Sequence, residues 1–188
     1  MPTRVTLYAA VLVLSGTAVA VPAVVTVEGP PPGFTGGFGE PSCVACHLGS
    51  EVNAFGGRVV VEGLPAAYAP GAEYILTILL EAEETQAAGF QITSRFTGGA
   101  GWGRNAGRLE PIDARVAVTD SAGVSYVHQS LEGSKTHTSD GSSWSVVWVA
   151  PSAGGPVTIS VAANSGNADN SPLSDLVYTA EVIVPPNR

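Results

Sequence analysis

Cys43-Val44-Ala45-Cys46-His47 sets two thiols three positions apart, with an imidazole directly after the second. These are the only two cysteines of the chain. Thiols at that interval reach the two vinyl groups on one edge of a porphyrin, and the next imidazole falls beneath the iron as proximal ligand. The C-x-x-C-H pattern therefore predicts one covalent haem c, with thioethers at Cys43 and Cys46 and the iron on His47. Such a tether lets a short loop hold a large cofactor without an enclosing pocket, and Pro41, Ser42, Leu48 and Gly49 flank the motif as loop residues. Three other uses of the same residues compete. A redox dithiol wants a βαβ context, which the sequence does not show. A zinc half-site would take Cys43, Cys46 and His47 and need a fourth ligand from elsewhere. A local disulfide would suit an oxidising compartment.

The sixth iron position has several candidates. The single methionine is Met1, inside a segment expected to be removed, so the mature chain is not expected to have a Met/His haem. His128, His137, Lys135 or water remain. A bis-His iron would have a lower potential than a Met/His one. It has no open site, which suits electron transfer better than substrate chemistry. His128 ends a strand pattern and His137 sits in the polar run 134–141. An exposed histidine with no ligand role is the competing reading of each. The sequence has no distal acid–base set, no G-x-S-x-G, no H-E-x-x-H and no P-loop, so an enzyme is not expected; a peroxidase-like activity would require an open sixth position. Asn164 to Asn170, with Asp169 and Asp175, lack the ligand spacing of a Ca²⁺ loop and read as a polar turn.

A motif of this kind needs an exported chain and a scaffold. Arg4 precedes the apolar run Val5 to Leu14, and Ala18-Val19-Ala20 offers a small-x-small cleavage site. Residues 1–20 therefore read as a signal peptide, with an uncleaved N-terminal anchor as the alternative, and the protein is expected to be periplasmic, secreted or at the cell surface. No later segment is long and apolar enough to span a bilayer, so no transmembrane segment is expected in the mature chain. A formal net charge of -8 argues against nucleic acid and anionic membrane surfaces as partners. The expected partner is a redox protein that the sequence does not identify.

Residues 21–57 form a Pro/Gly-rich arm that runs into the haem-binding loop. Gly29-Pro30-Pro31-Pro32-Gly33 and Thr35-Gly36-Gly37-Phe38-Gly39 cannot make a helix or a long strand. Residues 58–188 read as a β-sandwich domain. Short apolar or alternating runs, bounded by Gly, Pro, Asn, Asp or Ser, predict strands at Arg58–Glu62, Glu73–Leu80, Gly89–Phe96, Ala114–Thr119, Val124–His128, Ser143–Val149, Val157–Ala163 and Leu176–Val184. No stretch has a helical period. The fold class is all-β, an Ig-like sandwich with an N-terminal haem-attachment loop. Trp144, Val146, Trp148 and Ala150 share one face of their strand and read as core rather than as a haem contact.

In order along the chain, Gly33-Phe34-Thr35-Gly36, Gly39-Glu40, the C-x-x-C-H motif, Tyr68-Ala69-Pro70-Gly71, Gly89-Phe90-Gln91, His137-Thr138 and Trp144 to Pro151 lead to Asn164, Asn167, Asp175 and Tyr178. This series resembles the bacterial Reelin-domain-like proteins (Reeler, or choice-of-anchor V) over residues 33–183. The resemblance implies an Ig-like sandwich bearing a haem, and it favours His137 over His128 as distal ligand, because a His-Thr pair precedes the Trp-x-x-x-Trp-x-Ala-Pro strand. Animal Reeler modules are extracellular and disulfide-linked and lack C-x-x-C-H. Many bacterial relatives carry a C-terminal surface anchor that is not seen in this sequence. The expected function is an exported monohaem c-type cytochrome that transfers electrons through a bis-His haem. The alternative is an extracellular binding or adhesion module with a structural or sensory haem.

Overall fold

The computed structural model describes residues 29–187; the export-signal reading of residues 1–20 lies outside them. Among the described residues nine strands form two antiparallel sheets. They are β1 (Gly57–Glu62), β2 (Glu73–Ala82), β3 (Ala87–Phe96), β4 (Arg108–Pro111), β5 (Val116–Ser121), β6 (Val124–Gln129), β7 (Gly141–Val149), β8 (Val157–Gly166) and β9 (Leu176–Val184). One sheet has the order β1-β2-β7-β4 and the other β5-β6-β3-β8-β9. The chain is thus the β-sandwich that its alternating apolar runs require. Among the described residues no helix is long and apolar enough to cross a membrane.

The core forms where the inward residues of both sheets meet. On β2, Leu76, Ile78 and Leu80 are buried while Ile75 faces out. The register sets Ile78 opposite Trp144 and Leu76 opposite Val146 on β7. Both tryptophans of β7 are core residues. Trp144 packs on Phe90 with ring centroids 4.6 Å apart, and Trp148 lies between Tyr68 and Tyr74. Their indole N–H groups donate to the Gly133 and Ala106 carbonyls, which removes the cost of burying a polar atom.

The second sheet is covered on both faces. On β3 the inner face is Ala88, Phe90 and Ile92, and the outer face carries Gln91, Thr93 and Arg95; all six are buried. The cover is the Pro/Gly-rich arm. Its described residues before 43, residues 29–42, have no helix or strand of their own, so their backbone takes partners from sheet side chains. The Gln91 side chain accepts from the Phe34 N–H and donates to the Pro31 carbonyl. Glu40 of the arm is ion-paired with Arg95 and accepts a hydrogen bond from the Tyr126 hydroxyl. The arm is therefore a fixed strap, and it delivers the cysteine motif to one end of the sandwich.

Candidate functional site

Ser42 to His47 make a single helical turn. The Ala45 N–H donates to the Ser42 carbonyl, and the Cys46 and His47 N–H groups both donate to the Cys43 carbonyl. Residues 43–45 form its 3-10 core. One turn puts Cys43, Cys46 and His47 on the wall of a single cleft of about 380 Å³. The start of β3, the segment Gln129–Leu131, Asn164 and Gly166 near the end of β8, and the loop 168–172 form its other walls. The cleft falls within the usual size range of small-molecule and cofactor sites.

The loop is clamped onto the chain that enters β9. The Leu48 N–H donates to the Pro172 carbonyl, and the Leu48 carbonyl accepts from Ser174. A few residues on, Asn53 binds the backbone of β9 at Val177 and Thr179. Between these clamps Gly49 lies flat against Asp175, and a Cβ at position 49 would overlap the Asp175 carbonyl. Gly49→Ala should cost about 1–3 kcal/mol, as for overpacking of an interior, with a matching drop in the denaturant midpoint. A loss below about 0.5 kcal/mol, the range of an ordinary surface change, would mean that the loop is not packed on β9.

This clamp aligns His47 with Asp175. The His47 Nδ1 lies 2.5 Å from Asp175 Oδ2, across 128 positions of sequence. Asp175 is buried while a third of the His47 side chain stays accessible. In the neutral ring, a carboxylate on Nδ1 makes that nitrogen the N–H donor and leaves Nε2 with its lone pair. This is the tautomer that a metal-ligating imidazole needs. In the sequence Asp175 reads as part of a polar turn and of the Reeler-like series, because nothing local links it to residue 47. Of the stretch Asn164 to Asn170 read as a polar turn, Asn164 to Gly166 belong to β8, and only from Asn167 does the chain bend, with the Asp169 carboxylate accepting the Ser171 N–H.

Cys43 is half-buried, Cys46 is exposed, and both are free thiols. Burial pushes the Cys43 thiol up to about 12. A redox dithiol works through a lowered thiol pKa, so this environment counts against that use. Among the described residues no three His, Cys, Asp or Glu side chains group as ligands for a metal ion. A haem asks for only one or two protein ligands, whereas the zinc reading needs four.

The other histidines lie elsewhere. Buried in β6, His128 has Nε2 bonded to the Thr119 hydroxyl and Nδ1 to the Gln129 carbonyl. His137 is exposed on its loop, and the exposed Lys135 is paired with Glu132. None of the three lines the cleft. Among the described lining residues, His47 is the only histidine, and there is no lysine or methionine.

No protein-family model matches the sequence, and no curated protein does. Solved structures do. The human F-spondin reeler domain (fragment 1) superposes at a TM-score of 0.50 with 20% identity, over 77% of this chain and 98% of that one. The fold is Reeler-like. The Reelin-N domain of F-spondin gives 0.50 and 20% over 78% of this chain and 96% of that chain. A second fragment of the human reeler domain gives 0.47 and 21% over 74% and 94%. At this identity the likeness establishes the Reeler architecture, and the chemistry of residues 43–47 has to be argued from this chain.

Proposed function

We propose that this chain is an exported binding module of Reeler fold that holds one covalent haem c in the cleft beside His47. The observation that carries the reading is the His47–Asp175 pair, which frees Nε2 on the wall that also presents Cys43 and Cys46. Each thiol would add its S–H across a vinyl double bond, with no leaving group and no change of oxidation state. His47 would bind the iron, and the apolar walls at Phe34, Ala88, Phe90 and Leu131 would cover the ring. When bound, the haem would supply an iron able to take a small ligand or to carry an electron. Among the described lining residues there is no second imidazole, thioether or amine, which favours ligand binding or sensing over a bis-His electron carrier. The Reeler fold of known modules fits an extracytoplasmic binding role.

Electron transfer is the second reading. It is favoured by the exposed Cys46, since a haem tethered there would be within reach of a partner protein. One preparation tests both readings. Made in a host with a cytochrome c maturation system, the secreted chain should gain the mass of one haem that survives denaturing electrophoresis. Its ferrous form should be high-spin and bind carbon monoxide. A bare polypeptide mass would end the haem reading, and a low-spin iron that refuses carbon monoxide would favour the electron carrier.

A further inference from the structure

Resting on the haem reading above, we infer that Asp175 is a positioning residue that holds the iron-binding imidazole of His47 and sets the iron's potential low. Asp175 stands at the entrance to β9, 4% exposed. Its Oδ2 bonds His47 Nδ1 at 2.5 Å, and its buried Oδ1 has no hydrogen-bond partner among the described residues. No Lys or Arg is paired with it among those residues either. A buried carboxylate with so few partners is expensive to keep for stability alone. The backbone around it is built to hold this one contact. Leu48 is bonded on both sides to the 172–174 segment, and Gly49 leaves no gap against Asp175.

The consequence for the iron follows from charge. An imidazole that donates to a carboxylate is a stronger base at its other nitrogen than one that donates to a neutral carbonyl. The effect is larger out of water, where hydrogen bonds to charged groups strengthen. A more basic ligand stabilises the ferric over the ferrous state, and outer-sphere bonding is one of the means by which proteins set haem potentials. Asp175 thus fixes the ring's orientation and biases the iron toward the oxidised form.

The test compares haem-loaded wild type with Asp175→Asn and Asp175→Glu by mass, potentiometric titration and the iron–histidine stretching band of the ferrous form. The Asn variant keeps the shape and removes the charge. At a fixed poise it should hold at least tenfold more reduced iron relative to oxidised iron, which is about 59 mV for one electron. Its stretching band should fall in frequency. The Glu variant, which restores the carboxylate, should return part of both shifts. A loaded Asn variant with unchanged potential and band overturns the inference and leaves the attachment reading standing. A wild type of bare polypeptide mass removes the attachment reading and this inference with it. Should Asp175→Asn fail to fold, the wild-type band decides: a frequency typical of histidine bound to carboxylate supports the role, and one typical of histidine bound to a backbone carbonyl overturns it.

Discussion

Cys43→Ser combined with Cys46→Ser should yield a secreted, folded and colourless protein from a host that loads the wild type. Covalent haem should fall from about one per chain to background, read by intact mass and by the haem stain of a denaturing gel. The argument rests on what the two sulfurs do in the fold. The turn at 42–47 is held by backbone bonds among Ser42, Cys43, Ala45, Cys46 and His47, and the sulfurs form no disulfide. Serine is close in size, so the circular dichroism spectra of the haem-free proteins should coincide and their unfolding free energies agree within about 0.5 kcal/mol. Each single variant keeps one thiol and should load with reduced yield through a single thioether. A wild type that returns zinc or a titratable dithiol in place of colour, both lost in the double variant, would transfer the site to one of the competing chemistries.

The sandwich was legible in the sequence because its strands are cut by strong turn signals. Ala122-Gly123, both at positive φ, separate β5 from β6, so Asp120 and Ser121 of the expected turn are the end of β5, and Ala150-Pro151 closes β7. What escaped was β4. It is four residues long, ends on Pro111, and alternates Arg and Glu with a single buried leucine, so it has too little apolar pattern to be seen apart from its pairing with β7. The extra length of β3 and β8 escaped for a related reason. Ala87 and Ala88, and Asn164 to Gly166, have weak strand preference, and they are extended because they pair with each other across the sheet.

The site divides in the same way. Cys43, Cys46 and His47 are adjacent, so their chemistry could be read directly. Asp175 could not, since its meaning depends on a contact across 128 positions. The distal ligand shows the limit most clearly. His128 and His137 were candidates because they are the other two histidines of the chain. The fold buries the first with both ring nitrogens engaged and leaves the second exposed, and neither lines the cleft. A short list of possible ligands says nothing about which side of a sheet each one faces; only the register does, since neighbouring positions on a strand point to opposite faces. Gln129, next to His128, lines the cleft that His128 does not.

Arg95→Met should destabilise the protein by about 3 kcal/mol, the low end of the range for breaking a buried ion pair. The low end applies because 15% of the Glu40 side chain still meets solvent, against 6% for Arg95. For a domain of this size that corresponds to a melting temperature lower by about 6–12 °C. Arg95 packs against the rings of Phe38 and Tyr126, with its guanidinium carbon 5.0 and 5.2 Å from their centroids. Methionine would keep much of the apolar contact and strand the Glu40 charge. Burial pushes the Glu40 carboxyl up, but the hydrogen bonds from Tyr126, Arg95 and Thr35 outweigh this and hold it below its ordinary value. Tyr126, itself pushed up to about 12 by burial and by Glu40, stays protonated and remains a donor. A carboxylate lowered in the folded state adds stability that is fully present above its unfolded pKa and is lost as pH falls through the folded value. Glu40→Gln should therefore flatten the acid limb of the stability–pH curve and leave its slope near neutrality unchanged. Were the arm a loose linker, Arg95→Met would cost less than about 0.5 kcal/mol, as at an ordinary surface site, and the acid limb would not respond. The link to the cleft is short: Glu40 stands three positions before Cys43. A strap freed at Glu40 should let the thiols and His47 drift from Asp175, so the same Arg95→Met variant should load haem less completely than wild type at equal secreted amount.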